Sequence, residues 1–380
     1  MFKQLEEDEA RSQLRDSVAA FVRKEAAPQG GNKGAEQAPA LDTRRWRQMA
    51  SLGWLGLQLP EAAGGLELAA GDLVALHQEI GRGAFAEPLI PVAVLAARPV
   101  ALSSNDALKQ KLLPGLLGGE VLGSLAWQKA TGCVDADDVG PTATASGNGW
   151  VLEGEAVFVP IADEAQGLVV AARAAGGTML FWVDRKANYT VESATLADGT
   201  HAGAKVRFDR VRVSRADLVA DTDTAREVLA ETLDTASVAA CGELLGAMEQ
   251  MLEMTVAYMN QRVQFGKPIG SFQSLQHKAV DVYVQVELSR SVLHHAVQVC
   301  ENAPTPHDRA VAVARAKSRC SEAGLYTVKQ CIQMHGAIAY TEEYALSRFV
   351  RRAIALAHSH GTAAAQRRRY ASLELNNAGH

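Results

Sequence analysis

The spacing of apolar residues changes twice along this chain, from helical steps to strand-like runs and back, and that switch constrains the fold more than any other feature of its 380 residues. Up to about residue 118 the apolar side chains return every three or four positions, as in Leu14, Val18, Phe21 and Val22 and again in Val74, His77, Ile80 and Gly81. That is the repeat of helices with one buried face. The Gly-, Gln- and Ala-rich stretch Pro28 to Pro39 breaks the repeat and predicts a loop, and Leu57 to Glu61 followed by Gly64 and Gly65 predicts a turn. From about 120 to 218 short β-branched and aromatic runs replace the helical pattern: Trp150 to Leu152, Val157 to Val159, Leu168 to Ala172, Met179 to Val183 and Val206 to Val213. Gly147-Asn148-Gly149 predicts a hairpin, because Gly and Asn both accept positive φ.

After Asp221 helical spacing returns, with Leu245, Met248, Leu252 and Met259 on one face and Leu275, Ala279, Val282, Val286, Leu293 and Val297 on the next. Pro304 and Pro306 separate a third helix, from about Asp308 to Met334 and ending near Gly336, and a fourth begins near Glu342. The expectation is an α+β chain: helices over 1–118, a sheet or small barrel over 119–220, and a four-helix bundle over 221–380.

With 48% hydrophobic residues a chain of this length buries a sizeable core. The net charge of -5 supplies no general attraction for nucleic acid. The acidic start and the lack of about 18 consecutive uncharged apolar residues argue against a leader or a membrane span, so the chain reads as cytoplasmic. Five scattered cysteines, Cys133, Cys241, Cys300, Cys320 and Cys331, lack zinc spacing and read as free thiols; no metal site is expected.

One stretch is more specific. Gln261-Arg262-Val263-Gln264-Phe265-Gly266-Lys267-Pro268-Ile269-Gly270-Ser271-Phe272-Gln273 resembles the RxxFGxxIxxFQ signature of acyl-CoA dehydrogenases, and it lies between two long helices. Gln333 to Glu342 resembles the family's QxxGGxGYTxE segment, with Ala337 and Ala339 replacing two glycines, and Gly361-Thr362 resembles its GT. Leu59-Pro60-Glu61, Gly64-Gly65, Asp72 and Glu79-Ile80-Gly81-Arg82 resemble its N-terminal domain.

The resemblance implies a helical N-terminal domain, a middle β domain, a C-terminal four-helix bundle, and FAD as cofactor. It implies an acyl-CoA substrate, an electron-transfer flavoprotein as electron acceptor, and a homo- or hetero-oligomer, dimer or tetramer, of similar subunits. Residue by residue, Arg262 is expected on the FAD pyrophosphate, which suits a guanidinium fork, and Gln273 and Gln333 on the adenosine diphosphate half. Phe265 is expected to pack there, Gly336 to admit close backbone approach, and Thr362 to donate its hydroxyl. Taken singly, each has an ordinary reading: a surface arginine, a core phenylalanine, a helix-capping glycine.

The chemistry matches less well than the scaffold. The family's base precedes the GT, which puts His360 there, and the alternative position on the first C-terminal helix falls on Ala236. The family's TEPxxGSD loop aligns with Gln128 to Asp135, and its W-x-T segment with Phe158-Val159-Pro160, where Pro160 has neither hydroxyl nor N–H to offer a flavin edge. Gln128, Phe158 and Pro160 are thus the flavin-side candidates. Three readings follow: a subunit whose partner supplies the base, an active homo-oligomer using His360, or a non-catalytic binding subunit. Asp234 and Glu243 are weaker bases, His294, His295 and His358 read as surface or interface, and Arg367-Arg368-Arg369 as a solvated face.

Overall fold

Helical order in the first third follows its apolar spacing: α1 (Glu9–Glu25) buries Val18, Phe21 and Val22, and α2 (Thr43–Ser51), capped by the Asp42 carboxylate, buries Trp46 and Met49. The structure, a computed structural model, describes residues 9–25, 41–194, 203–302, 305–341 and 343–377. The loop expected over Pro28 to Pro39 lies outside the described residues, as do Pro304 and Glu342. Next come α3 (Ala70–Gly83), a buried π-helical stretch over Ile90–Ala97 leading into α4 (Arg98–Ala101), and α5 (Asp106–Leu117).

Eight strands follow: β1 (Gly123–Ala126), β2 (Thr142–Ser146), β3 (Gly149–Pro160), β4 (Gly167–Ala174), β5 (Gly177–Asp184), β6 (Tyr189–Ala194), β7 (Gly203–Ser214) and β8 (Leu218–Ala220). The last third is α6 (Ala225–Gln261), α7 (Gln273–Asn302), α8 (Pro306–His335), α9 (Leu346–His358) and α10 (Ala363–Asn377). The order is therefore helices, sheet, helices, an α+β chain. No helix among the described residues is long and apolar enough to cross a membrane.

Two compact units interleave in sequence. The first holds α1, α3, α6 from Val238 onward, α7, α8 and α9. Here α3 and α6 meet backbone to backbone: a Cβ on Gly81 would lie 1.9 Å from the Glu243 carbonyl oxygen, and one on Gly246 would lie 1.8 Å from that of Gln78. Only glycine permits that approach. Charges inside this unit are matched. Glu243, 1% exposed, accepts from Arg352 Nε at 2.6 Å, and Arg82 spans Glu249 and Glu253.

The second unit holds α2, α4, α5, the sheet, α6 up to Ser237, and α10. Its strands run in the order β6-β7-β3-β2-β4-β5-β8, with β1 parallel to β4. Leu152, Val170, Phe181, Val206 and Phe208 form the apolar face beneath. The hairpin expected at Gly147 joins β2 to β3, and of its two turn residues Gly147 alone takes positive φ, at 59°. The long β3–β7 pair is broken by bulges between Leu152 and Gly154 and between Ala156 and Val159, and the second carries Phe158.

Candidate active site

In the first unit the signature segment folds as a tight plug between α6 and α7. Val263 and Gln264 pair with Lys267 and Pro268, the Ile269 amide donates to the Arg262 carbonyl at 2.8 Å, and Phe265 meets Phe272 edge-on at 6.1 Å. The plug sets Arg262 and Gln273 at one end of the helix layer. Lys278 Nζ on α7 donates to Gln330 Oε1 on α8 at 3.3 Å, which brings the C-terminal turn of α8, with Gln333 and Gly336, to the same end. Arg262, Phe265, Gln273 and Gln333 are all exposed, Phe265 at 91%. Among the described residues no ion pair engages Arg262. Gly336 has φ 70° and nothing within 4 Å of a would-be Cβ. Beside it His335 is stacked on Tyr258, its Nδ1–H donating to the Cys331 carbonyl at 2.9 Å and its Nε2 accepting from the Tyr344 hydroxyl at 3.2 Å.

The second unit gathers the remaining candidates around the 128–138 loop. Gln128 turns inward on its own loop, Nε2 donating to the Cys133 carbonyl at 2.9 Å, and the Val157 amide donates to the Gln128 carbonyl, tying the loop to β3 beside Phe158. Phe158 is 46% exposed and Pro160, half-buried, ends the strand. At the loop's other end Val134 packs on Gly361, where a Cβ would come within 2.2 Å of Val134 Cγ1. Gln366 Nε2 donates to the His360 carbonyl at 2.7 Å, while Thr362 Oγ1 caps α10 by accepting from the Ala365 amide, leaving its hydroxyl hydrogen to donate elsewhere.

Seven non-glycine residues have positive φ among the described residues, and three of them are Phe158, Phe265 and His360. Backbone held in that region is strained, and strain of this kind concentrates at functional sites.

The acid–base inventory is sparse. Ala236 is fully buried on α6, and the carboxylates flanking it are already engaged. Asp234, 1% exposed, accepts from Arg369 Nη1 at 2.8 Å. Burial pushes the Glu243 carboxyl up, but Arg352 and His77 outweigh it and hold its pKa below the usual carboxylate range, the opposite of what a base poised near neutrality needs. His360 is half-buried at the position before Gly361.

One expectation fails. Arg367 and Arg368 are solvated, but Arg369 is only 7% exposed, because the helical turn of α10 carries it inward onto Asp234 and Asp135. Charge type alone cannot tell which of three adjacent arginines faces in; only their phase against buried carboxylates does. Sequence reasoning also missed Lys317, fully buried on α8, whose Nζ donates to Ser321 Oγ at 2.7 Å and to the Leu356 carbonyl at 3.1 Å in the last turn of α9. His295 and His358 are exposed and His294 is half-buried. No cluster of three metal-ligating side chains occurs among the described residues.

Similarity to known proteins runs along most of the chain. Residues 8–120 match the family described as acyl-CoA dehydrogenase, N-terminal domain, and residues 226–373 match acyl-CoA dehydrogenase, C-terminal domain. Acyl-CoA dehydrogenase IpdE2 of Mycobacterium tuberculosis is 30% identical over 346 residues, 91% of each chain. Mitochondrial isovaleryl-CoA dehydrogenase of Solanum tuberosum is 28% identical over 355 residues, 90% of this chain and 85% of that one. Among solved structures, a variant of the Tcur3481-Tcur3483 steroid ACAD is 30% identical, with a TM-score of 0.85 over 98% of this chain and 99% of that one.

Proposed function

This chain belongs to the acyl-CoA dehydrogenase family, whose cofactor is FAD, and from that premise we propose that it is one subunit of a heteromeric enzyme that desaturates an acyl-CoA thioester. In that reaction a base removes the α-proton, the β-hydrogen leaves as hydride, and a 2-enoyl-CoA results. Bound FAD would supply the hydride acceptor, and an electron-transfer flavoprotein would take the electrons on. The base comes from a similar partner subunit.

The observation that carries this reading is the state of the two base positions. One is a buried alanine, Ala236, and the carboxylates flanking it are held by Arg369 and Arg352. The other is His360. The cofactor residues, by contrast, are fit for work: Arg262 is exposed, Gly336 leaves space for close approach, and Thr362 has a hydroxyl hydrogen to give. Arg262 would take the pyrophosphate, Gln273 and Gln333 polar groups of the adenosine diphosphate half, with Phe265 against it. Gln128, Phe158 and Pro160 would lie on the flavin side. An exposed apolar stripe on α7, Val280, Tyr283, Val284 and Leu288, supports a protein partner. So does the steroid relative whose name joins two components.

A second reading rests on His360 itself. Its positive φ and the hydrogen bond on its carbonyl fix the ring's origin, and an imidazole ring nitrogen is a chemically competent general base.

Expressing the chain alone and with a similar neighbouring subunit tests both. FAD absorption in the complex and anaerobic bleaching by acyl-CoA are the expected results; no flavin in either preparation rejects the assignment. His360→Ala should leave turnover of the mixed complex intact, and its abolition would transfer the base to this chain.

A further inference from the structure

We propose that Arg369 is a positioning residue that ties both base positions of this chain, the turn at His360 and the helix at Ala236, to the 128–138 loop through a single guanidinium. The inference rests on the proposed function for its activity readout, but its geometry stands alone.

Arg369 Nη1 donates to Asp234 Oδ1 at 2.8 Å, and Nε donates to Asp135 Oδ1 at 3.1 Å. Asp234 lies two residues before Ala236 on α6, and Asp135 follows Val134, the residue packed on Gly361. A ring closes: from Gly361 along the chain to Arg369, across to Asp135, and back through Val134 to Gly361. Gln366 braces it from within, donating to the His360 carbonyl at 2.7 Å. Two further ion pairs steady the loop from outside, Lys129 with Asp138 and Arg226 with Asp137, but both are solvent-exposed and contribute little. Arg369 and Asp234 are the buried members.

Two carboxylates on different elements require a planar fork with separate donors; a lysine in this place reaches one and releases the other. Burial opposes the Arg369 charge, yet Asp234 and Asp135 outweigh it and raise its pKa, so the tie persists across the working pH range.

The test uses the flavin-loaded complex with Arg369→Met, Arg369→Lys and Asp135→Asn. Hydrogen exchange of the amides over 130–138 and at 361 should quicken about tenfold or more in Arg369→Met and Asp135→Asn. Turnover per bound flavin should fall about tenfold, through the flavin-side Gln128 on the freed loop and not through His360, and Arg369→Lys should recover part of it. A role in stability alone would reduce flavin content and leave turnover per flavin unchanged, and that result overturns the proposal. Unchanged exchange at 130–138 and 361 overturns it as well. If Arg369→Met does not fold, Asp135→Asn decides, since it leaves the Arg369–Asp234 pair in place and the Asp135 side chain is 47% exposed. Absence of flavin in the unmutated complex would sink the proposed function instead, while the exchange measurement would still judge the ring.

Discussion

Arg262 and Arg369 are the same side chain in opposite circumstances. Arg262 stands exposed at the end of the helix layer that also carries Gln273, Gln333 and a glycine with open space around it. Arg369 is buried and closed onto two carboxylates. An exposed arginine with no ion pair contributes almost nothing to folding and keeps its donors for a ligand, whereas a buried one is committed to the fold and its loss leaves charge stranded. The first region keeps its charge on the surface; the second spends its charge on the fold.

The contrast is broken most readily at Asp234. Asp234→Ala removes the buried one of Arg369's two carboxylates, leaving only the half-exposed Asp135, and should cost about 3 kcal/mol of stability, read from denaturant midpoints; a loss under about 1 kcal/mol would mean the knot is looser than its geometry. Arg262→Ala should do the reverse. Folding stability should move by less than about 0.5 kcal/mol, while FAD affinity drops by roughly tenfold to a hundredfold on titration.

Gly361→Ala sharpens the comparison within the knot. It adds a Cβ against Val134 at a residue with φ 94°, so about 1–2 kcal/mol should be lost, whereas Gly336→Ala, with φ 70° but open space, should lose less in stability and more in FAD affinity. The smallest effect is pH-linked. Because the folded Glu243 pKa lies below the unfolded value of about 4.3, its stabilisation is complete above about pH 5 and is lost as pH falls through the folded value. Glu243→Gln should flatten that acid limb of the stability curve and lower the plateau above it, because the stabilisation present above about pH 5 is what the substitution removes.

Much of this was legible beforehand. The periodicity switch gives the element order, and the stretch Arg262 to Gln273 carries the resemblance to the family to which the chain belongs. The apolar runs mark no strand at β1, β2, β6 or β8, which have 4, 5, 6 and 3 residues and are too short for a clear alternating pattern. The helix expected from near Glu342 starts at Leu346, Glu342 itself lying outside the described residues.

What the sequence determined by itself was local: where helices give way to strands, where a turn must interrupt them, and which short motifs carry the family resemblance. Those facts depend on residues close together in the chain. Which of three adjacent arginines turns inward, that Asp234 and Glu243 are already engaged, and that Val134 rests on Gly361 were decided only by tertiary structure. They join residues more than a hundred positions apart, and the burial of a charge depends on what other elements bring to it.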